Sequence, residues 1–246
     1  MRFVELFAGI GGFSLGFERA GMKCVGHVEI EPYAQKVLLK HWPDVPLISD
    51  VKKVKGDEFG KVDLLCGGFP CQDISIAGNQ KGLKDENGES TRSGLYDEII
   101  RIAGVCRPRY IVLENVANLL SRADWFGYVL GKLAEIGYDA EWEIIRASEF
   151  GLPHSRSRLF IVAYPNGSRL ESLDLQKPTR INPEESCRRE LARAINEAIP
   201  ANDYARDRGD YNGVPQIMDR LRCLGNSLVP QIAEYIGKQI IETEKQ

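Results

Sequence analysis

Strands alternating with helices from the first residues onward predict an α/β fold, and three observations carry that prediction. Arg2 to Ala8 is a short apolar strand that runs straight into Gly9-Ile10-Gly11-Gly12 and then into a helix-like stretch, Phe13 to Ala20. The same order, a strand, then a glycine or an acid, then a helix, returns after Lys23 and after Val62. With 246 residues, 43% of them hydrophobic, the chain holds one full α/β domain and a small appendage rather than two equal domains.

The first strand-loop-helix unit is the arrangement in which backbone amides approach a cofactor closely. Gly9-x-Gly11 continues to Ser14 where a dinucleotide fingerprint requires a third glycine, so a nicotinamide cofactor starts with a defect, and a tight structural turn is the plainer alternative. The second strand, Lys23 to Ile30, ends at Glu29-Ile30-Glu31, and Pro32 opens the helix Tyr33 to Trp42. Glu29 lies twenty residues beyond Gly9, the separation at which an acid at the second strand end meets a ribose. A third short strand, Pro46 to Ile48, ends at Asp50. Carboxylates there can accept from a sugar diol and an exocyclic adenine amine; two ordinary surface acids are the alternative.

Val62 to Cys66 is an apolar strand that empties into Gly67-Gly68-Phe69-Pro70-Cys71-Gln72, which sets a thiol at a strand end. Most free cysteines are small buried apolar residues, but a thiolate is also the strongest side-chain nucleophile. Asp73 to Ser93 is polar and without periodicity, as in a lid that closes over substrate, with Lys81, Lys84 and Arg92 available for phosphates. Helical spacing over Leu95 to Cys106 predicts a helix, and the apolar strand Arg109 to Leu113 delivers Glu114-Asn115-Val116 at its exit. An apolar setting there raises the pKa of a carboxyl. A helix over Asp124 to Ile136 and a strand over Tyr138 to Ala147 follow, and then Arg156-Ser157-Arg158 precedes the strand Leu159 to Tyr164. Two arginines spaced by two point the same way, which suits a phosphate or a base oxygen; a surface ion pair is the alternative.

Composition excludes several classes. No run of about 18 apolar residues exists and the first residues do not read as a signal peptide, so a soluble, cytoplasmic protein with no membrane partner is expected. Six scattered cysteines without a Cys-x-x-Cys motif read as reduced thiols, and with three histidines no metal site is expected. The net charge of −3 does not advertise nucleic acid; residues 1–150 carry 18 basic and 22 acidic side chains, while 151–222 carry 12 and 10, a mildly basic later part. One helix, Glu184 to Ile199, is expected there behind an Asn182 cap and Pro183.

The motifs taken together resemble the cytosine carbon-5 DNA methyltransferases. Gly-Gly-Phe-Pro-Cys-Gln-x-x-Ser, closing at Ser75, is similar to that family's nucleophile motif; Phe7 to Phe13 resembles its S-adenosylmethionine loop, Glu114-Asn115-Val116 its second catalytic motif, and Leu224 to Gln231 with the helix Ile232 to Ile241 its closing motif. A Gln-x-Arg-x-Arg segment belongs at Arg156 and Arg158, and here His154 stands in place of the glutamine. The resemblance implies a Rossmann-like, mostly parallel, doubly wound sheet with helices on both faces and a small irregular target-recognition region. It implies a catalytic domain over 1–165, a recognition region over 166–222 of only 57 residues, and a C-terminal segment, 223–246, that returns to the first domain.

By the same resemblance, Cys71 attacks carbon 6 of a flipped cytosine in double-stranded DNA. Glu114 serves ring nitrogen 3, and Arg158 and Arg156 hold the base oxygen or a phosphate. S-adenosylmethionine meets Phe7, Gly9, Gly11, Gly12, Glu29, Ile30, Asp50, Val51, Pro70, Leu95, Asn226 and Ser227. The expected protein is a monomer, and a cognate restriction endonuclease acting separately is compatible with it. The alternatives are a transfer-RNA cytosine-5 methyltransferase, against which Phe69 before Pro-Cys-Gln speaks, a non-catalytic DNA-binding relative, and, last, an NAD oxidoreductase.

Overall fold

The computed structural model describes residues 1–70, 95–152, 156–167 and 227–245. Its strands are β1 (Arg2–Leu6), β2 (Lys23–Val28), β3 (Leu47–Ile48), β4 (Leu64–Gly68), β5 (Tyr110–Val116), β6 (Tyr138–Arg146) and β7 (Ser157–Pro165). They form one seven-stranded sheet in the order β3-β2-β1-β4-β5-β7-β6. β1 to β5 run parallel, and β7 is antiparallel to both of its neighbours. This is the Rossmann-like, doubly wound sheet, and its strand order reverses between β1 and β4, where such sheets open a crevice beyond their carboxyl ends.

The helices are α1 (Gly12–Arg19), α2 (Pro32–His41), α3 (Tyr96–Cys106), α4 (Ala123–Glu135) and α5 (Pro230–Thr243). Side chains alternate across a strand, so each strand feeds two cores. Phe3, Leu64, Cys66, Val112, Phe160 and Val162 pack with Phe13 and Phe17 of α1 and Ile232, Ile236 and Ile240 of α5. Val4, Leu6, Leu65, Ile111, Leu113 and Ile161 pack with α3 and α4 on the other face. Each of the buried isoleucines of α5 contributes about 2 kcal/mol by leaving water.

α5 crosses α1 at backbone distance. A side chain at Gly16 has no room beside the Pro230 carbonyl and Ala233, and a Cβ at Gly237 comes within 2.9 Å of Ala20 and of the Phe17 ring. Its far end is tied down by the Tyr110 hydroxyl, which donates to Glu244 Oε1 at 2.7 Å, and by the Arg109–Glu244 ion pair. The segment ahead of α5, Ser227 and Leu228, is thereby laid against the crevice.

Strand boundaries shift by one to three residues from those the sequence predicts, and two of the shifts bear on the cavity. β5 runs on through Val116, so Glu114 and Asn115 lie inside it, and β7 begins at Ser157, so Arg158 lies within a strand instead of before one. The cause is their antiparallel pairing, which sets Val116 opposite Arg158 and satisfies polar residues that read as loop by themselves. The expected helix Glu184 to Ile199, the lid segment 73–93, and all of the recognition region but 166 and 167 lie outside the described residues.

Candidate active site

A cavity of about 410 Å³ opens at the carboxyl ends of β1, β2, β4 and β5. Glu5, Phe7, Gly9, Gly12, Glu29 and Ile30 line one end, Pro70, Glu114, Asn115, Arg156 and Arg158 the other, with Gly68, Ser227 and Leu228 completing the wall. Ten of the predicted site residues are thus brought together. Cys71 and Asn226 lie outside the described residues, although Pro70, the residue before Cys71, is part of the wall.

At the glycine-loop end the chain leaves β1 through Phe7, whose φ of 53° is left-handed, and through Gly9 and Gly11 at 54° and 84°. Such a conformation costs a bulky residue about 1–3 kcal/mol and persists only where its surroundings hold it. Here the holder is Glu29: its Oε2 accepts from Gly9 N at 2.6 Å and its Oε1 from Glu31 N at 2.7 Å. A carboxylate offers about four lone-pair directions, so two amides leave acceptor capacity for hydroxyls in the cavity. Ile30 beside it is 71% exposed, an apolar plate on the wall with nothing of the protein over it among the described residues.

Beneath the loop Glu5 is buried in mid-strand. It accepts from Phe13 N at 3.1 Å, Ser14 N at 2.9 Å and the Ser14 hydroxyl at 2.5 Å. The Ser14 hydroxyl also lies 2.7 Å from His27 Nε2, which in turn lies 3.3 Å from Cys24 Sγ. Burial pushes the Glu5 carboxyl up to about 7, holds His27 down to about 4 and lifts the Cys24 thiol to about 12. A helix N-terminus ordinarily attracts a ligand anion; that of α1 is already filled by the chain's own carboxylate. A dinucleotide pyrophosphate therefore meets an acid where it needs amides.

At the other end the β5–β7 pairing lays Arg158 next to Glu114, with Nε 2.8 Å from Oε1. Burial raises the Glu114 pKa, and the positive charges of Arg158 and Arg156 offset part of that rise. Burial also lowers the pKa of Arg156, and Arg158 beside it adds to the effect. Gly68 pairs with Glu114 across the sheet, and a Cβ there comes within 2.8 Å of Glu114 Oε2, so glycine is what lets the carboxyl lie over β4. Asn115 is buried and donates to the Phe69 carbonyl at 3.3 Å, while its own Oδ1 accepts from Val116 N at 2.8 Å. Phe69 is further fixed by the Tyr96 ring, 5.0 Å away. The exit of β4, two residues before Cys71, is thereby registered against Glu114.

Four predicted residues stand outside this wall. Asp50 caps the turn Val51–Lys53 with one oxygen, Oδ1, which accepts from Lys52 N at 3.0 Å. Val51 is buried in the core, Leu95 precedes α3 and packs on the same core, and Gly11 faces Leu38 and Trp42, whose ring leaves no room for a Cβ. Glu5 lines the cavity outside every motif, while Glu31, Gly68, Asn115 and Leu228 line it from quoted stretches in which the sequence reading assigned them no site role. For Glu5 a signal existed, since an acid between Val4 and Leu6 in a strand buried on both faces is rare without a purpose.

A model of the C-5 cytosine-specific DNA methylases matches residues 1–219. The chain belongs to that family. Among its relatives are the Type II methyltransferases M.HhaI of Haemophilus parahaemolyticus, 33% identical over 74% of this chain and 54% of its own length, and M1.ScrFI of Lactococcus lactis subsp. cremoris, 34% identical over 95% and 59%. The chain thus spans a little over half the length of these Type II methyltransferases. The crystal structure of a putative DNA modification methyltransferase encoded within an E. coli prophage shares the fold, with a TM-score of 0.66 at 18% identity over the whole of both chains. The structure of S. pombe Dnmt2 methyltransferase aligns with a TM-score of 0.54 at 25% identity, over 69% of this chain and 52% of that one.

The wall fits S-adenosylmethionine, the methyl donor of the C-5 methylases. Glu29 has acceptor capacity for a ribose diol, Ile30 offers an apolar face to a purine, and Glu5 suits a cation and opposes a pyrophosphate. No helix among the described residues is long and apolar enough to cross a membrane.

Proposed function

We propose that this chain is a DNA cytosine-5 methyltransferase, with residues 1–165 and 223–246 forming the catalytic body and 166–222 reading the target. The observation that carries the reading is one cavity with nucleoside acceptors at one end and, at the other, a half-buried carboxyl–guanidinium pair beside the residue that precedes Cys71.

Cys71, as the thiolate, adds to carbon 6 of the cytosine, and the electron pair pushed into the ring makes carbon 5 nucleophilic. Glu114 holds a proton at ring nitrogen 3; its raised pKa keeps that proton available, while Arg158 keeps the carboxylate form accessible. Arg158 and Arg156 face the base oxygen or the flanking phosphate. S-adenosylmethionine, when bound, supplies a methyl group on a sulfonium sulfur that carbon 5 can take. Loss of the carbon-5 proton to a base then expels the Cys71 thiolate. A stacked base cannot enter such a cavity, so the cytosine is extruded from the duplex, at a cost of about a few kcal/mol that contacts with Glu114 and Arg158 offset.

The test is a duplex carrying 5-fluorocytosine at the target, whose carbon-5 fluorine cannot leave as a proton does. A covalent complex should form with the wild-type chain and labelled donor and be lost in Cys71→Ala. An adduct that persists in Cys71→Ala rejects the nucleophile, and label passing to transfer RNA but not to duplex DNA rejects the substrate.

A further inference from the structure

The parallel ladder between β4 and β5 breaks off in an unusual way at the edge of the cavity. Along such a pair the rungs are evenly spaced, so one rung predicts the next two residues further along each strand. Tyr110 N donates to the Asp63 carbonyl at 3.1 Å, and the register stays in step as far as Gly68 opposite Glu114. Continued in step, the ladder would join Val116 N to the Phe69 carbonyl. Instead Val116 N donates to Oδ1 of Asn115 at 2.8 Å, and Nδ2 of Asn115 donates to the Phe69 carbonyl at 3.3 Å. A side-chain amide is thus spliced into the rung, accepting on one side and donating on the other as a peptide group would.

The splice parts the two strands. β4 ends at Gly68, while Asn115 and Val116 go on pairing with Leu159 and Arg158 of β7. It lies in the interior, where a carbonyl or an amide left unpaired is costly: Asn115 is 3% exposed and Phe69 4%. The Phe69 ring is held as well, by Tyr96, whose hydroxyl donates to the Val129 carbonyl at 2.8 Å. Pro70, next along the chain, stands on the cavity wall, and Cys71 follows it in the sequence.

We propose that Asn115 is a positioning residue: its amide ends the β4–β5 ladder after Gly68 and so fixes where the strand leading to the nucleophile parts from the strand that carries Glu114. The inference rests on the roles given to Cys71 and Glu114 under the proposed function. Asn115 acts through Phe69 and Pro70 and takes no part in the bond changes. A displacement of about 1 Å between reacting groups costs about 10² in rate, so Asn115 governs kcat. Donor binding, which is assigned to Glu29 and the glycine loop at the other end of the cavity, is left alone.

Asn115→Asp separates this role from packing. The aspartate has the same shape and still accepts from Val116 N, but as a carboxylate it sets an acceptor against the Phe69 carbonyl. Protonated, it donates there again. Burial favours the neutral acid, so the lost contact returns as the pH falls.

The experiment measures kcat of the full chain at saturating S-adenosylmethionine on unmethylated genomic DNA, as the ratio of variant to wild type at each pH, so that titrations common to both cancel. Donor Kd is measured in parallel by calorimetry. A donor-free readout is tritium release from carbon 5 of labelled cytosine: addition of Cys71 lets carbon 5 take a solvent proton, and loss of the tritium then expels the thiolate. At about pH 8 Asn115→Asp should show kcat and tritium release about 10²-fold below wild type, with donor Kd within about twofold. By about pH 6 the kcat ratio should recover about tenfold. Because a buried carboxylate can unfold the chain, Asn115→Ser serves as a second variant. It is neutral and too short to bridge both groups, and should show the same loss with no recovery. Wild-type kcat in either variant, an Asn115→Asp deficit that is the same at both pH values, or a donor affinity that falls in step with kcat overturns the inference and leaves the proposed function standing. A wild-type chain that methylates no DNA overturns both.

Discussion

The two ends of the cavity use the same side-chain chemistry in opposite ways. At the glycine-loop end Glu5 and Glu29 are satisfied by neutral donors, amides and a hydroxyl, that the chain supplies from its own turns. At the strand-pair end Glu114 is satisfied by a full positive charge on Arg158. A carboxylate held by amides keeps its charge to offer outward. One held by a guanidinium has already met its cation, so what it offers a neutral ring is a shared proton. On the function proposed above, the first kind is a binding acid and the second a working acid within a single crevice.

Glu114→Gln breaks the comparison most sharply. It keeps the shape over Gly68 but removes the carboxyl proton, so kcat for labelled methyl transfer to duplex DNA should fall by about 10³, within the range general acid–base groups supply. The donor Kd should stay within about twofold of wild type, because Glu114 touches only the far end of the cavity. A loss shared equally between kcat and donor Kd would show the two ends to be one site.

Next in size is an opposition hidden inside the glycine-loop end. His27 takes up its proton near 6.5 when unfolded and near 4 when folded, so its contribution to stability is full above 6.5 and is lost as pH falls toward 4. Glu5 loses its proton near 4.5 when unfolded and near 7 when folded, so its contribution is full below 4.5 and is lost as pH rises toward 7. Between those limits the folded and unfolded chains hold the same number of protons on this pair, and the two slopes cancel. Glu5→Gln should leave a chain that loses stability as pH falls from 6.5 to 4, and His27→Gln one that loses it as pH rises from 4.5 to 7. Each change amounts to at most about 3 kcal/mol in urea unfolding. Parallel pH profiles in the two variants would show that the groups do not titrate against each other.

Smallest, and complementary to the first, is Glu29→Ala. It removes the acceptor that braces Gly9 and faces the cavity, so donor Kd should rise about tenfold while kcat at saturating donor changes little, the mark of lost uniform binding. A fall in kcat instead would mean that Glu29 acts on the reacting end.

Much of this was legible without coordinates because the signals were local. Glycines straight after a strand, an acid twenty residues on, and Gly-Phe-Pro at the end of another strand place Gly9, Glu29 and Pro70 on one crevice once the order of βα units is known. Asp50 shows the limit of that reasoning, since a carboxylate at a third strand end lies off the wall of the cavity and caps the next turn with one of its oxygens. Glu5 was passed over for the converse reason: an acid among apolar residues gives no hint of which amides will come to meet it. Those amides belong to α1, brought over β1 by the turn at Gly9 and Gly11.

By itself the sequence determined the alternation of strands and helices, the glycine turns and the residue types set at each strand end, because these follow from periodicity and backbone sterics over a few residues. Only the tertiary structure decided that β7 runs against β5, which carries Arg158 to Glu114, and that α5 nestles on Gly16, which carries Ser227 and Leu228 to the cavity. Those contacts join residues far apart in the chain, and their energies depend on partners that no local pattern names.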